Sequence, residues 1–114
     1  MITLEKLQTF GADTGSGLGR CLGREDFYLR MVGKVLSDTA EPQKLKEALD
    51  AGDVKTAFEK AHALKGVYGN LSLTPLFEPV SELTEILRAG TLEGAQEYYD
   101  AFYTKYQEFL KLAE

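Results

Sequence analysis

The feature that most constrains the fold is a helical spacing of apolar residues that recurs along the chain, with almost no strand signal beside it. No stretch alternates β-branched and polar residues as a half-buried strand would. The best-patterned segment runs from Val54 to about Leu71, where apolar residues step by three and four positions. They form one continuous stripe of Val54, Phe58, Ala61, Leu64, Tyr68 and Leu71. The sequence therefore predicts an all-α protein.

Caps and breaks divide the remaining chain into further helices. Asp53 is a predicted cap for the helix with the apolar stripe, Thr74 for the next helix and Thr91 for the last one. Pro79 lies about one turn into its helix and predicts a kink or a separately wound first turn there. The other predicted helices cover Leu4–Phe10, residues 18–22 (weakly), Glu25 to about Ser37, a short segment that opens at Pro42, residues 75–88, and the segment after Thr91.

The connections between these amphipathic helices are short, which favours antiparallel neighbours. We therefore expect an antiparallel up-down four-helix bundle with short additional N-terminal helices. A chain of 114 residues is long enough for one core and too short for two ordinary domains. No linker or repeat divides it, so residues 1–114 are predicted to form a single helical domain. A bundle that closes its own core predicts a monomer.

Composition excludes several classes of function. A net charge of −5 argues against nucleic acid as a partner, because phosphate binding needs clustered positive charge. The apolar runs are too short to span a membrane, and the N-terminus lacks the pattern of a signal peptide. Cys21 is the single cysteine, which rules out an internal disulfide and favours a reducing, cytoplasmic setting. One histidine and one cysteine make a metal site improbable on chemical grounds.

The most informative segment surrounds His62. On a helix of 3.6 residues per turn, His62 lies roughly 110° from the middle of the apolar stripe, so its ring is predicted to be exposed on the flank. Lys65, Gly66 and Gly69 share its patch of surface, and Lys60 adds positive charge nearby. Two interior glycines cost about 1 kcal/mol each relative to alanine. Beside an exposed histidine, they leave a bare surface on which another protein can lie closely.

Those residues suit phosphoryl transfer to nitrogen. This reaction depends mainly on positioning and on charge neutralisation rather than on covalent help from the protein. An unperturbed imidazole is largely neutral near pH 7 and can act as the nucleophile. A lysine three positions later can neutralise part of the charge of the phosphoryl group.

Residues 62–66 (HALKG) and 69–76 (GNLSLTPL) resemble the signature of histidine phosphotransfer (HPt) domains, and residues 22–28 resemble a segment of many bacterial members more loosely. The resemblance implies that His62 is phosphorylated and that Lys65 faces the phosphoryl group. Gly66 and Gly69 would then lie beneath a docked receiver domain. Where the family usually has a second glycine, this chain has Ser72, which is expected to alter the turn slightly. Thr84 is the nearest match for a polar residue that supports the histidine.

The implied function is a phosphocarrier that relays a phosphoryl group through phospho-His62, to or from receiver-domain aspartates, in a two-component phosphorelay. Its partners would be a sensor histidine kinase and the receiver domain of a response regulator. No cofactor is expected on this chain, and the Mg²⁺ of the reaction is expected on the receiver. The chain has no nucleotide-binding segment of its own, so calling it an enzyme is a matter of definition.

Two alternatives remain open from the sequence. The chain could be an HPt-like interaction module that docks a receiver without carrying phosphate. It could also be the phosphoacceptor domain of a larger histidine kinase, although a methionine that leads directly into a helix favours a small complete protein. The sequence identifies neither the cognate kinase nor the receiver.

Overall fold

A computed structural model describes residues 1–114, and all of its regular elements are α-helices, as predicted. They are α1 (Leu4–Phe10), α2 (Thr14–Arg20), α3 (Glu25–Ser37), α4 (Ala40–Asp50), α5 (Val54–Asn70), α6 (Thr74–Arg88) and α7 (Ala95–Lys111). None of these helices is both long enough and apolar enough to cross a membrane.

Helix α5 is the centre of the packing. Its most extensive contact is with α6, and it also packs against α4, while α6 packs against α7. The apolar faces meet in one continuous core. The largest fully buried side chains come from six of the seven helices and include Leu7, Tyr28, Leu45, Tyr68, Leu83 and Phe102. The apolar stripe of α5 therefore faces this core and leaves the opposite face of the helix to solvent.

Residues 1–23, here called the N-terminal arm, are attached to the end of α5 and to the turn after it. The Asp13 N–H donates to the Ser72 carbonyl at 2.9 Å, and the Ser72 hydroxyl donates to the Ser16 hydroxyl at 3.0 Å. The Arg20 guanidinium donates to the Gly69 carbonyl at 2.6 Å. Carbonyls at a helix C-terminus have no intrahelical donor, so the arm supplies partners for the last turn of α5.

The turn that ends α5 is held in a left-handed conformation at Ser72, whose φ is +54°. The Leu73 N–H donates to the Tyr68 carbonyl and the Ser72 N–H to the Gly69 carbonyl, at 2.9 and 3.1 Å, which is the bonding pattern of a Schellman motif. Glycine adopts this conformation most readily. At the position where the serine was expected to alter the turn slightly, Ser72 adopts the left-handed geometry itself.

Two helices in the first half of the chain begin earlier than predicted. Helix α2 starts at Thr14 rather than near residue 18, because the Asp13 carboxylate accepts a hydrogen bond from the Ser16 N–H at 3.1 Å and caps it. Helix α4 starts at Ala40, so Pro42 is its third residue rather than its first. Proline is tolerated there because the N–H groups of a first turn have no intrahelical acceptor.

Two predicted caps were wrong, and α6 has no separately wound first turn before Pro79. Thr74 is the first residue of α6 and follows a cap position occupied by Leu73. Thr91 accepts from the Glu93 N–H in a turn that precedes α7, and Gly94 occupies the cap position of that helix. Helix α6 continues through Pro79 as one element. The Asp53 cap of α5 was predicted correctly, with the Thr56 N–H donating to the Asp53 carboxylate at 3.1 Å.

Candidate functional site

His62 lies on the solvent-facing side of α5, and its ring is exposed as predicted. The helix that carries it is regular from the Asp53 cap to Asn70. Its imidazole forms no hydrogen bond within the chain, so both ring nitrogens are free to meet a partner.

A groove of about 630 Å³ runs along this face of α5, between the N-terminal arm and the start of α6. His62, Lys65, Gly66 and Gly69 all line it, so the structure brings together four of the predicted site residues. The arm and α6 add the polar and charged lining residues Asp13, Ser16, Arg20, Thr74 and Glu78.

The two glycines of this face have different structural roles. A Cβ atom added at Gly66 would meet nothing within 4 Å, so this glycine leaves open helix surface next to His62. A Cβ added at Gly69 would lie 3.0 Å from the Phe77 ring of α6. Gly69 therefore permits the close approach of α5 and α6, a packing role beyond the docking role predicted from the sequence.

The two predicted lysines point to different neighbours. Lys65 lines the groove with His62, and no carboxylate lies within 4.0 Å of its ammonium group. Lys60 instead forms an ion pair with Glu41 of α4 at 3.1 Å, and its hydrogen bond lowers the pKa of Glu41. Residues two apart on a helix lie about 200° around the axis from each other. The structure therefore does not bring Lys60 to His62, and of the two predicted lysines only Lys65 lines the groove with it.

Thr84 does not support the histidine ring in this structure. Its side chain is fully buried in the core, and its hydroxyl donates to the Val80 carbonyl of the same helix at 2.7 Å. A threonine that bonds to the carbonyl four residues earlier satisfies its own hydroxyl. Its spacing in the sequence matched the family, but its direction on α6 is inward.

The neighbour that does contact the imidazole is Phe58, one turn earlier on α5. The two rings stack with centroids 5.6 Å apart and an interplanar angle of 19°. The Arg88 guanidinium of α6 lies 5.1 Å from the centroid of the Phe58 ring, at cation–π distance. Arg88 also donates to the Glu85 carboxylate at 3.0 Å. The sequence analysis assigned Phe58 to the apolar stripe, although its position four residues before His62 was a usable signal.

Glu85 supplies negative charge close to this face. The hydrogen bond from Arg88 is the main cause that lowers the pKa of Glu85, and the positive charges of Arg88 and Lys65 act in the same direction. The carboxylate is therefore ionised near neutral pH. No sequence signal placed Glu85 or Arg88 here, because their proximity depends on how α6 packs against α5. No three His, Cys, Asp or Glu side chains meet in a group that could hold a metal ion.

Comparison with known proteins gives one match. No curated protein and no solved structure matches the chain. The family model of the Hpt domain matches residues 36–112, from the end of α3 to the end of α7. This match includes the whole of α5 with its exposed histidine, and it leaves the N-terminal arm outside. Because the match covers well over half of the chain, this protein belongs to the Hpt domain family, whose general role is histidine phosphotransfer in two-component phosphorelays.

Proposed function

We propose that His62 is the phosphoacceptor and that the chain relays a phosphoryl group between a sensor histidine kinase and the receiver domain of a response regulator. The observation that carries the proposal is the arrangement in the groove. The only histidine of the chain is exposed there beside an unpaired ammonium group at Lys65 and open helix surface at Gly66. The position of the histidine within the family-matched residues supports the same assignment.

The transfer would proceed by attack of an unprotonated ring nitrogen of His62 on the phosphorus of a receiver's aspartyl phosphate. The N–P bond forms as the bond between phosphorus and the aspartyl oxygen breaks, which returns the receiver carboxylate. Lys65 would offset part of the phosphoryl charge. The reverse reaction would pass the group from phospho-His62 to a receiver aspartate. The Mg²⁺ that the reaction uses is assigned to the receiver.

The proposal includes an architecture and a setting. We assign the packed helices to an antiparallel up-down four-helix bundle with short N-terminal helices, supported by short connections and a continuous core. That core closes without a partner, which supports a monomer. One buried cysteine and no disulfide support a cytoplasmic location.

The test is phosphoryl transfer from receiver domains charged with acetyl phosphate and Mg²⁺, with wild type compared with His62→Gln. Wild type is expected to acquire an acid-labile, alkali-stable label, and the variant none. The variant should unfold within about 0.5 kcal/mol of wild type, because the exposed ring makes little contact with the core.

Label on the variant would place the phosphoacceptor elsewhere. The absence of label from wild type, with every kinase and receiver tried, would favour the interaction module that docks without carrying phosphate. A large loss of stability in His62→Gln would mean that the ring has a structural role.

A further inference from the structure

The turn between α2 and α3 carries an apolar side chain that the fold does not use. Leu22 is 88% exposed, and its backbone adopts a left-handed φ of +57°. For a bulky residue with a Cβ atom this conformation is strained. The conformation closes the C-terminal cap of α2, in which the Leu22 N–H donates to the Gly19 carbonyl and the Gly23 N–H to the Leu18 carbonyl, at 3.3 and 2.7 Å. Glycine would adopt it without strain, so the cap does not explain a large apolar side chain here. Strained, exposed residues that persist in a structure tend to cluster at functional surfaces.

This turn is attached to the groove that contains His62. Arg20 lies two residues before Leu22, and its guanidinium both lines the groove and donates to the Gly69 carbonyl at 2.6 Å. Gly69 lies about 10 Å along the helix axis from His62, at 1.5 Å per residue. Leu22 lies within about 7 Å of Arg20 along the chain. The exposed leucine is therefore held near the C-terminal end of the histidine face.

A receiver domain that reaches His62 must cover this region as well. A standard protein interface buries about 800 Å² on each partner, a patch about 32 Å across if it is circular. A patch of that size centred on His62 extends beyond Gly69 to the edge formed by the arm. Arg20 and Lys65 both line the groove, and neither forms an ion pair with a carboxylate within 4.0 Å, so both cations can meet an acidic phosphoacceptor pocket. Of the two lining carboxylates, Asp13 caps α2, and Glu78 lies on α6.

We propose that Arg20 and Leu22 form one edge of the receiver-docking surface and select among receiver domains. This inference rests on the proposed function, since it names a surface used by the partner of His62. The occupant is a receiver domain with an acidic pocket for the phosphoryl group and an apolar side chain at the rim that meets Leu22. Both residues precede residue 36, so the selection comes from a part of the chain outside the family-matched domain.

Leu22 is the cleaner residue for a test, because Arg20 also bonds to the backbone of α5. Leu22→Asn removes the apolar contact and places at this position a residue that tolerates left-handed φ. The matched control is Leu92→Asn, which changes another exposed leucine, 37% accessible, in the connection between α6 and α7. The donors are the receiver that transfers fastest to wild type and phosphoramidate, a small phosphodonor that needs no docking surface.

The ratio of kcat/KM for receiver transfer to the rate of phosphoramidate labelling is expected to fall five- to tenfold or more in Leu22→Asn. A loss of this size is typical when one anchor residue of an interface is removed. It should stay unchanged in Leu92→Asn, and the melting temperature of Leu22→Asn should not fall. A wild-type ratio in Leu22→Asn would overturn the docking proposal and leave the proposed function intact. If phosphoramidate and every receiver fail to label wild type, the proposed function and this inference fall together.

Discussion

Gly66 and Gly69 show how far the roles of single residues could be predicted from the sequence. The position of His62, Lys65 and Gly66 on the side of α5 away from the core followed from helical phase alone, because one good stripe fixes which side of the helix faces the core. The separate role of Gly69 did not follow, since it depends on the Phe77 ring that α6 places 3.0 Å from its hypothetical Cβ. Local periodicity therefore predicts exposure, while close contacts between helices need the structure.

Substitution of Gly66 is expected to separate stability from transfer. Gly66→Ala should raise the free energy of unfolding by about 0.5 to 1 kcal/mol, because the position is helical and open. Gly66→Leu should keep the fold but slow receiver transfer at least about tenfold, because its side chain occupies the surface beside His62. Urea unfolding and phosphotransfer kinetics measure the two effects.

The matched control is Gly33→Leu on α3, where a Cβ also meets nothing within 4 Å. This variant should leave transfer unchanged, since Gly33 is not part of the groove. An equal slowing in the two leucine variants would show that bulk at Gly66 has no specific effect on docking.

Phe58 is expected to position the His62 ring rather than to take part in the reaction. Phe58→Leu removes the stacked ring, so we expect faster motion of the imidazole and a several-fold slower transfer. The loss of stability should stay below about 1.5 kcal/mol, because the side chain is only half-buried and leucine is apolar. Ring-carbon relaxation by NMR, together with transfer kinetics, checks both statements. Phe58→Tyr, which keeps the ring, should restore both values, and failure to do so would remove the positioning role.

Among the elements, α5 shows where local signals were sufficient and where they were not. Its extent and its Asp53 cap were predicted, because both depend on residues adjacent in the chain. The caps at Thr74 and Thr91 were wrong, because several residues near each helix start can cap and tertiary contacts select the register. The left-handed conformation of Ser72 also could not be predicted from its neighbours in the chain. The Ser16 hydroxyl and the Asp13 N–H, both from the arm, hold that turn.

Tyr28, which bonds to the turn after α5, is expected to make the stability of the fold fall at alkaline pH. Its hydroxyl donates to the Leu71 carbonyl at 2.8 Å. Burial, aided by the negative charges of Cys21 and Asp13, raises the pKa of Tyr28 from 10.0 to about 12. The folded state thus holds this proton more tightly than the unfolded state. The stability that this gives is fully present below pH 10 and is lost as the pH rises through about 12.

We therefore expect the urea midpoint to fall between pH 10 and about pH 12, and to fall less steeply in Tyr28→Phe. At pH 8 the same variant should be less stable by about 1 kcal/mol, the value of one hydrogen bond. If the urea midpoints of wild type and variant fell in parallel with rising pH, the loss of stability at alkaline pH would come from groups other than Tyr28. The tyrosines Tyr68, Tyr99 and Tyr106, whose pKa values burial also raises, would then be the candidates.

For the whole molecule, the all-helical class could be predicted because amphipathic periodicity recurs in nearly every segment. The attachment of the N-terminal arm could not be predicted. It depends on contacts between residues about 50 positions apart in the chain, such as Arg20 with Gly69. It also depends on Gly17, where a Cβ would lie 2.5 Å from the Tyr28 ring. The arm thus stabilises the C-terminal end of the helix that carries His62, although the family-matched residues begin after the arm.

Deletion of residues 1–23 is therefore expected to weaken the chain at the end of α5, and also at the C-terminal end of α7, where Lys6 donates to the Leu112 and Glu114 carbonyls. The deletion removes the hydrogen bonds from Asp13 and Arg20 and the contact between Ser16 and Ser72, three bonds of about 1 kcal/mol each. It also uncovers core surface that Leu7 buries, so we expect a loss of at least about 3 kcal/mol. Urea unfolding measures the total.

Hydrogen exchange locates the loss. The Ser72 and Leu73 amides, bonded to carbonyls of α5, should exchange faster in the deletion than amides near the Asp53 cap, which the arm does not touch. Arg20→Gln is the matched point variant, and it should reproduce the faster exchange at the α5 turn with a smaller loss of stability. Uniformly faster exchange along α5 would show that the arm stabilises the whole fold rather than the C-terminal end of α5 in particular. An unchanged exchange rate at the Leu73 amide would contradict the claim that the arm stabilises this turn.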